Sequence, residues 1–278
     1  MDRLLEATAA VERRHFWFRG LRRFVRPLVA AAVAGRNRPR LLDAGCGTGA
    51  NLALLSDHAT CYALDLSRTG LAHARAAGHR RLVRATVMAI PFPADAFDVV
   101  TSFDVLYALR PECARRALAE MARVLKPGGW LIVNVAALQI LRGGHSVLAE
   151  EVRRYDRRTL AADIEGAGLQ VTRITYTNAV LFPFVLAARL AQRAAGLDTP
   201  EHTGREIQVP PSPVNAAFDA LLALEALALR AVNMPVGSSL LCTARKGAGA
   251  AGGPGESTGG ASGAPRSGSR CGSPRGRG

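Results

Sequence analysis

Between Leu41 and Gly49 the chain reads Leu-Leu-Asp-Ala-Gly-Cys-Gly-Thr-Gly, a short apolar run breaking into a turn with three alternate glycines. A helical stretch, Ala50–Asp57, follows it. Glycines in such a strand–turn–helix let a ligand approach the backbone with no Cβ in the way. The GxGxG spacing differs from the GxGxxG of dinucleotide-binding turns, and no Gly-Lys-Ser/Thr follows, which excludes a P-loop. Asp43 stands two residues before the first glycine. A carboxylate there repels a pyrophosphate and suits a ligand carrying ammonium or sulfonium charge. Asp65 closes the next apolar run, Cys61–Asp65, where a carboxylate can accept from both hydroxyls of a ribose.

The pattern around this segment repeats. Apolar runs at Arg40–Ala44, Cys61–Asp65, Arg81–Thr86, Phe97–Phe103 and Trp130–Ala136 alternate with helical stretches at Ala50–Asp57, Arg68–Ala77 and Pro111–Leu125. That alternation predicts a largely parallel sheet with helices on both faces. Residues 1–38, ended by Pro39, read as a helical arm. Beyond the fifth strand, a helix over Arg157–Glu165 and a strand over Leu169–Tyr176 are expected. An apolar helix over Val180–Ala195 follows, then a polar, proline-rich loop over Thr199–Pro213. A helix over Val214–Val232, capped by Ser212 with Pro213 first, precedes a last strand over Gly237–Ala244. The expected organisation is an arm (1–38), an α/β domain (39–246) with a helical insertion (179–233) before the last strand, and a disordered Gly/Ala/Ser/Pro/Arg tail (247–278).

The net charge of +14 invites a nucleic-acid reading until it is located. Ten arginines against three acids fall within residues 1–40, half of the whole excess. The body is nearly balanced, which argues against nucleic acid and leaves an arm able to touch an anionic surface or simply a solvated face. Five scattered cysteines without a CxxC pair indicate neither a disulfide framework nor a zinc site, so a reducing cytosol is the expected compartment. The opening MDRLLEATAAVERRHF has early acids and no apolar core, unlike a secretory leader. No run of about 18 uncharged apolar residues is present. The expectation is a cytoplasmic protein, soluble or peripheral to a membrane.

Taken in order, LLDAGCGTG, ALDLS, PFPADAFDVV, FDVL and RVLKPGGWLIV resemble the successive motifs of class I S-adenosylmethionine-dependent methyltransferases. The resemblance spans roughly residues 12–246. It is closest to a bacterial ubiquinone/menaquinone-methyltransferase-like subgroup, through His15-Phe16-Trp17-Phe18-Arg19-Gly20 and through His145 with Arg153-Arg154-Tyr155. It implies a Rossmann-like, seven-stranded, mostly parallel sheet and S-adenosylmethionine as cofactor, with no metal. It also implies that Asp43, Gly45, Cys46 and Gly47 meet the methionine end and that Asp65 and Leu66 hold the ribose side. Thr86 and Val87 then flank adenine, and Trp17 and Arg19 cover the cofactor or anchor the arm. The chain departs from the family at three places. Thr86-Val87 replaces an Asp-small pair, Tyr107-Ala108 a Glu-His pair, and Ser146 and Glu151 an Asp and a His.

For the reaction, an in-line methyl transfer driven mainly by proximity, the candidate groups are Asp104, His145 and Tyr155. Arg153 and Arg154 either bind an anionic acceptor or form a solvated charge run. The apolar helices of the insertion either pack as an ordinary cap or form a greasy acceptor pocket, which would suit a small-molecule or lipid-linked acceptor. The rival readings are a cofactor-binding accessory protein without turnover and a nicotinamide oxidoreductase, the latter disfavoured by the glycine spacing.

Overall fold

The computed structural model describes residues 2–141, 151–194 and 208–248. Two helices, α1 (Asp2–Val11) and α2 (Phe16–Val33), precede the alternating part of the chain. That part runs β1 (Arg40–Ala44), α3 (Leu52–Ser56), β2 (Thr60–Asp65), α4 (Arg68–Ala76), β3 (Leu82–Arg84) and β4 (Phe97–Phe103), then α5 (Pro111–Val124) and β5 (Leu125–Ala136). After it come α6 (Arg157–Glu165), β6 (Leu169–Thr177), α7 (Phe182–Ala194), α8 (Ser212–Ala228) and β7 (Ser239–Lys246). The seven strands form one sheet in the order β3-β2-β1-β4-β5-β7-β6, parallel except for β7, which runs antiparallel to both neighbours. The chain leaves β1 toward one edge and returns at β4 toward the other. The crevice above the carboxyl ends of β1 and β4 is therefore the topological switch point, where such sheets bind ligands.

Unbroken apolar strands follow from burial on both faces. Leu42, Leu64, Val100, Leu131 and Leu240 point into the core under α5 and α6. Their neighbours Leu41, Ala63, Val99, Ile132 and Leu241 point into a second core with Phe24, Val25 and Val29 of α2 and Leu222 of α8. Period-two alternation thus splits the strands between two dry layers. Helix α5 shows the matching helical pattern, starting at Pro111 and burying Ala114, Ala117, Leu118 and Met121.

Several boundaries shift for local reasons. The N-terminal arm is two helices, broken where Asn215 of α8 ties down the junction. Its Oδ1 accepts from Phe16 N at 3.0 Å, and its Nδ2 donates to Arg14 O at 3.0 Å. β3 is short because Ala85 N turns back to Asp65 O at 3.1 Å and a turn follows. β5 begins early because Leu125 pairs with Phe97 across an irregularity in the ladder. Helix α8 starts at Ser212 with no side-chain cap and ends at Ala228, four residues before the expected Val232. Leu222 is fully buried, but Leu224 and Leu227 are 63% and 57% exposed, so part of its apolar surface lacks cover. Cys46, Cys61 and Cys242 are free thiols.

Candidate active site

The glycine turn is held to the end of β2 by its own backbone. Gly45 N and Cys46 N both donate to Leu64 O, at 2.9 and 3.0 Å. Gly47 N then donates to Asp65 Oδ2 at 2.7 Å, while Ser67 N donates to Asp65 Oδ1 at 2.8 Å. One carboxylate therefore braces the turn with one oxygen and the start of α4 with the other. Each oxygen keeps a further lone pair for a ligand. Gly45 sits at φ 89°, and a Cβ there would run into Val105. Gly70 of α4 matters for a different reason. A Cβ on it would lie 2.6 Å from Gly47 O, so the turn can rest on the helix only because that side chain is missing.

Asp43 is buried at the end of β1, and its Oδ1 accepts from Thr101 Oγ1 at 2.7 Å. Burial, reinforced by the charge of Asp65 and opposed by the Thr101 bond, pushes its carboxyl up to about 7. A cation docking beside it would relieve that penalty. Burial first, and then the charges of Asp43 and Asp65, drive the Cys46 thiol far above its usual range. Cys46 lines the turn as a neutral thiol and supplies no nucleophile. Leu66, 46% exposed, follows Asp65 directly, and the turn after β3 brings buried Val87 to the same strand end. Thr86 spends its hydroxyl within that turn, accepting from Met88 N at 3.3 Å. Leu66 and Val87 thus offer an apolar flank of the kind an adenine ring needs.

Across the crevice, Asp104 follows β4 at φ 60°, a left-handed conformation that re-aims its side chain. Asn134 of β5 fixes it twice, accepting from Asp104 N through its carbonyl and donating from Nδ2 to Asp104 Oδ1, both at 2.9 Å. Burial, with the charge of Glu151 adding and the Asn134 bond opposing, pushes the Asp104 carboxyl up to about 7. A carboxylate poised there can exchange a proton near neutral pH.

The other expected site residues lie elsewhere. Tyr155 is a core residue, 1% exposed beneath α6. Arg153 stacks on its ring at 4.1 Å and donates to its hydroxyl, which burial pushes up to about 12. Tyr155 anchors the segment after β5, its backbone N donating to Ala136 O at 2.9 Å. Arg153 is paired with Asp163 at 2.6 Å and Arg154 with Glu151 at 2.9 Å, so neither is a solvated charge. His145 and Ser146 fall outside the described residues, as does the chain beyond Ala248. Trp17 donates its backbone N–H to His15 Nδ1 at 3.2 Å at the start of α2. Arg19 pairs with Asp219 of α8 at 2.9 Å, beside Arg23, which grips the same carboxylate. Among the described residues, no group of three His, Cys, Asp or Glu could hold a metal.

The arm reaches the glycine turn through a residue the sequence did not single out. Glu12, 8% exposed, accepts from Thr48 Oγ1 within 2.8 Å. Leu5 of α1 lies 3.5 Å from where a Cβ of Gly47 would stand. Its only sequence signal is an acid inside an arginine-rich stretch. The arm therefore touches the turn through α1, and Arg19 secures α2 to α8. Arg19→Ala is expected to lower thermal stability by about 1 kcal/mol or less, as a half-exposed ion pair should. The same variant should leave affinity for S-adenosylhomocysteine within about twofold. A large loss of affinity in calorimetry would return Arg19 to the cofactor.

A methyltransferase-domain family matches residues 42–133. A malonyl-[acyl-carrier protein] O-methyltransferase of Enterobacter lignolyticus is 34% identical over 184 residues, covering 63% of this chain and 71% of that protein. A ubiquinone/menaquinone biosynthesis C-methyltransferase of Azotobacter vinelandii is 30% identical over 198 residues, covering 57% and 76%. The chain spans about half, or less, of the length of the first curated relatives it matches, 44% and 51% for two of them. The fold also matches a solved S-adenosylmethionine-dependent methyltransferase of Mesorhizobium loti, with a TM-score of 0.51 at 19% identity over 79% of this chain and 96% of that one. The chain belongs to the class I S-adenosylmethionine-dependent methyltransferases. Its Rossmann-like sheet and braced glycine turn fit the cofactor that family uses.

Proposed function

We propose that the protein transfers a methyl group from S-adenosylmethionine to a small-molecule or lipid-linked acceptor above β4 and β5. The observation that carries this reading is Asp65, which braces Gly47 and Ser67 while keeping acceptor capacity free beside a buried Asp43. S-adenosylmethionine, when bound, supplies a methyl group already activated on sulfonium. The chain's own part is to hold, orient and exclude water. Asp43 meets positive charge, Asp65 accepts from ribose hydroxyls, and Leu66 and Val87 cover an apolar ring. Residues 1–38 act as a lid through Leu5 and Glu12, and the insertion at 179–233 caps the acceptor side of domain 39–246. Asp104 takes a proton from the acceptor where one must leave.

Two features support an apolar acceptor. Phe184 and Leu190 of α7 and Leu224 and Leu227 of α8 are exposed on the insertion, next to an arginine-rich α2. Relatives are named for ubiquinone/menaquinone biosynthesis and for an acyl-carrier-protein substrate. No helix among the described residues is long and apolar enough to cross a membrane. Calorimetric titration with S-adenosylhomocysteine is expected to give one site per chain with micromolar affinity or better, roughly −8 kcal/mol. A folded protein with no measurable affinity would refute the proposal. Binding without turnover across quinol and acyl-thioester acceptors would instead indicate an accessory protein.

A further inference from the structure

Helix α8 places its charges inside and its leucines outside. Its only charged residues, Asp219 and Glu225, are both buried. Asp219 receives Arg19 and Arg23 of α2, while Glu225 accepts from Ala179 N and Val180 N at 3.0 and 3.1 Å. Between them on the same face, Leu222 fills the space left by Gly20 of α2. At 3.6 residues per turn, the opposite face carries Ala217, Ala220, Leu224 and Leu227. All four are exposed, and no polar side chain stands among them. Helix α7 adds to this surface, because Phe184 is 60% exposed and its ring lies 6.2 Å from that of Phe218 on α8. Arginines frame it. Arg14 is exposed at the amino end, where Asn215 of α8 donates to its carbonyl at 3.0 Å, and Arg230 is exposed just past the carboxyl end. Neither has an ion-pair partner among the described residues. Helices α2 and α7 contain arginines and no acid, so no carboxylate of these three helices reaches solvent.

We propose that the outward face of α8, with the exposed flank of α7, docks the protein on the surface of an anionic lipid bilayer. Leu224, Leu227 and Phe184 enter the boundary between headgroups and acyl chains, and Arg14 and Arg230 meet the lipid phosphates. The charge pattern favours this occupant over the others. A second copy related by a two-fold axis would lay two α8 faces antiparallel. Arg14 of one copy would then face Arg230 of the other, with no exposed acid on these helices to offset them. The chain's own tail has nothing apolar to lay there, since residues 249–278 contain no Leu, Ile, Val, Phe, Met, Trp or Tyr and bring further arginines. A bilayer of anionic lipid supplies both missing parts, negative charge at the level of the arginines and hydrocarbon just beneath it. Docking of this kind is independent of the chemistry performed above the sheet.

The test is co-sedimentation of the full chain with vesicles of phosphatidylcholine alone and of phosphatidylcholine mixed equally with phosphatidylglycerol. The mixed vesicles are expected to bind the protein at least about tenfold more tightly, and added salt should weaken that binding. Changing Leu224→Gln and Leu227→Gln together should weaken it about tenfold or more, because both side chains lose the hydrocarbon they would enter. Arg230→Glu should weaken binding to the mixed vesicles by about tenfold and leave binding to phosphatidylcholine unaltered. All three substituted positions are exposed, so thermal melts and calorimetry with S-adenosylhomocysteine should match wild type and separate lost docking from lost folding. Absent vesicle binding, equal binding to the two compositions, or variants that sediment like wild type would each overturn the proposal. So would a lipid-free dimer in analytical ultracentrifugation that the paired leucine changes dissociate, which would assign the face to a second copy.

Discussion

Asp65→Ala is expected to lower affinity for S-adenosylhomocysteine at least about 100-fold in calorimetry, which corresponds to roughly 3 kcal/mol. Two losses combine in that figure. The first is direct, because the carboxylate's remaining lone pairs are the acceptors placed for ribose hydroxyls. Hydrogen bonds to a charged partner are each worth about 1.5–3 kcal/mol. The second is a loss of preorganisation. Gly47 N and Ser67 N, now 2.7 and 2.8 Å from the two oxygens, lose their acceptor together, and the turn is no longer tied to α4. Asp65→Asn is not a rescue. Its amide presents N–H where one of the two backbone donors also presents N–H, so one brace becomes a repulsion. Asn should therefore bind little better than Ala, and an asparagine variant with near wild-type affinity would show that the ribose is held elsewhere. The effect is separable from unfolding by a thermal melt without ligand, since the cores under α5 and around α2 do not depend on Asp65.

That result would test the part of the molecule most legible in the sequence. The turn from Asp43 to Gly49 and the carboxylate at Asp65 are local features, set by residues adjacent in the chain and by strand ends that an apolar run announces. The sheet was legible for the same reason, because strands buried on both faces cannot hide their composition. Contacts across long separations were not legible. Glu12 finds Thr48 over 36 positions and Arg19 finds Asp219 over 200, and neither pairing leaves a periodic trace. Tyr155 shows how a motif misleads. Set in Arg-Arg-Tyr it resembles an acceptor-binding group, yet its bridge to Ala137 turns it under α6 into the core. The apolar residues of α8 predict a buried helix, but burial depends on what covers it, and Leu224 and Leu227 face outward. The backbone of Tyr107 is tied in the same way to a distant segment, its carbonyl accepting from Val152 N and Arg153 N at 2.9 and 3.1 Å.

Asp43→Asn is expected to make the unliganded protein more stable at pH 8 and no more stable at pH 4. In the folded chain the Asp43 carboxyl titrates at about 7, against 3.8 for an unburied aspartate, mainly because the charged form is denied water. The native state therefore holds a proton that the unfolded chain releases between these values. Asp43's contribution is fully present below pH 4 and is lost as pH rises through 7. At about 1.4 kcal/mol per pH unit, the displacement from 3.8 to about 7 sets an upper bound near 4 kcal/mol, and relaxation around the charge brings the expected gain to roughly 2 kcal/mol. For a chain of this size that raises Tm by about 5 °C. Asparagine keeps an acceptor for Thr101 Oγ1, so the hydrogen bond at 2.7 Å survives the change. A gap independent of pH, or a less stable variant at pH 8, would show that the charge is not the source of the penalty. With saturating S-adenosylmethionine the order should reverse. Wild type then gains the full stabilisation of a bound cationic ligand, and the variant, lacking the carboxylate that receives that charge, gains far less. The same carboxylate thus weakens the empty fold and strengthens the loaded one, as expected of a group kept for its ligand.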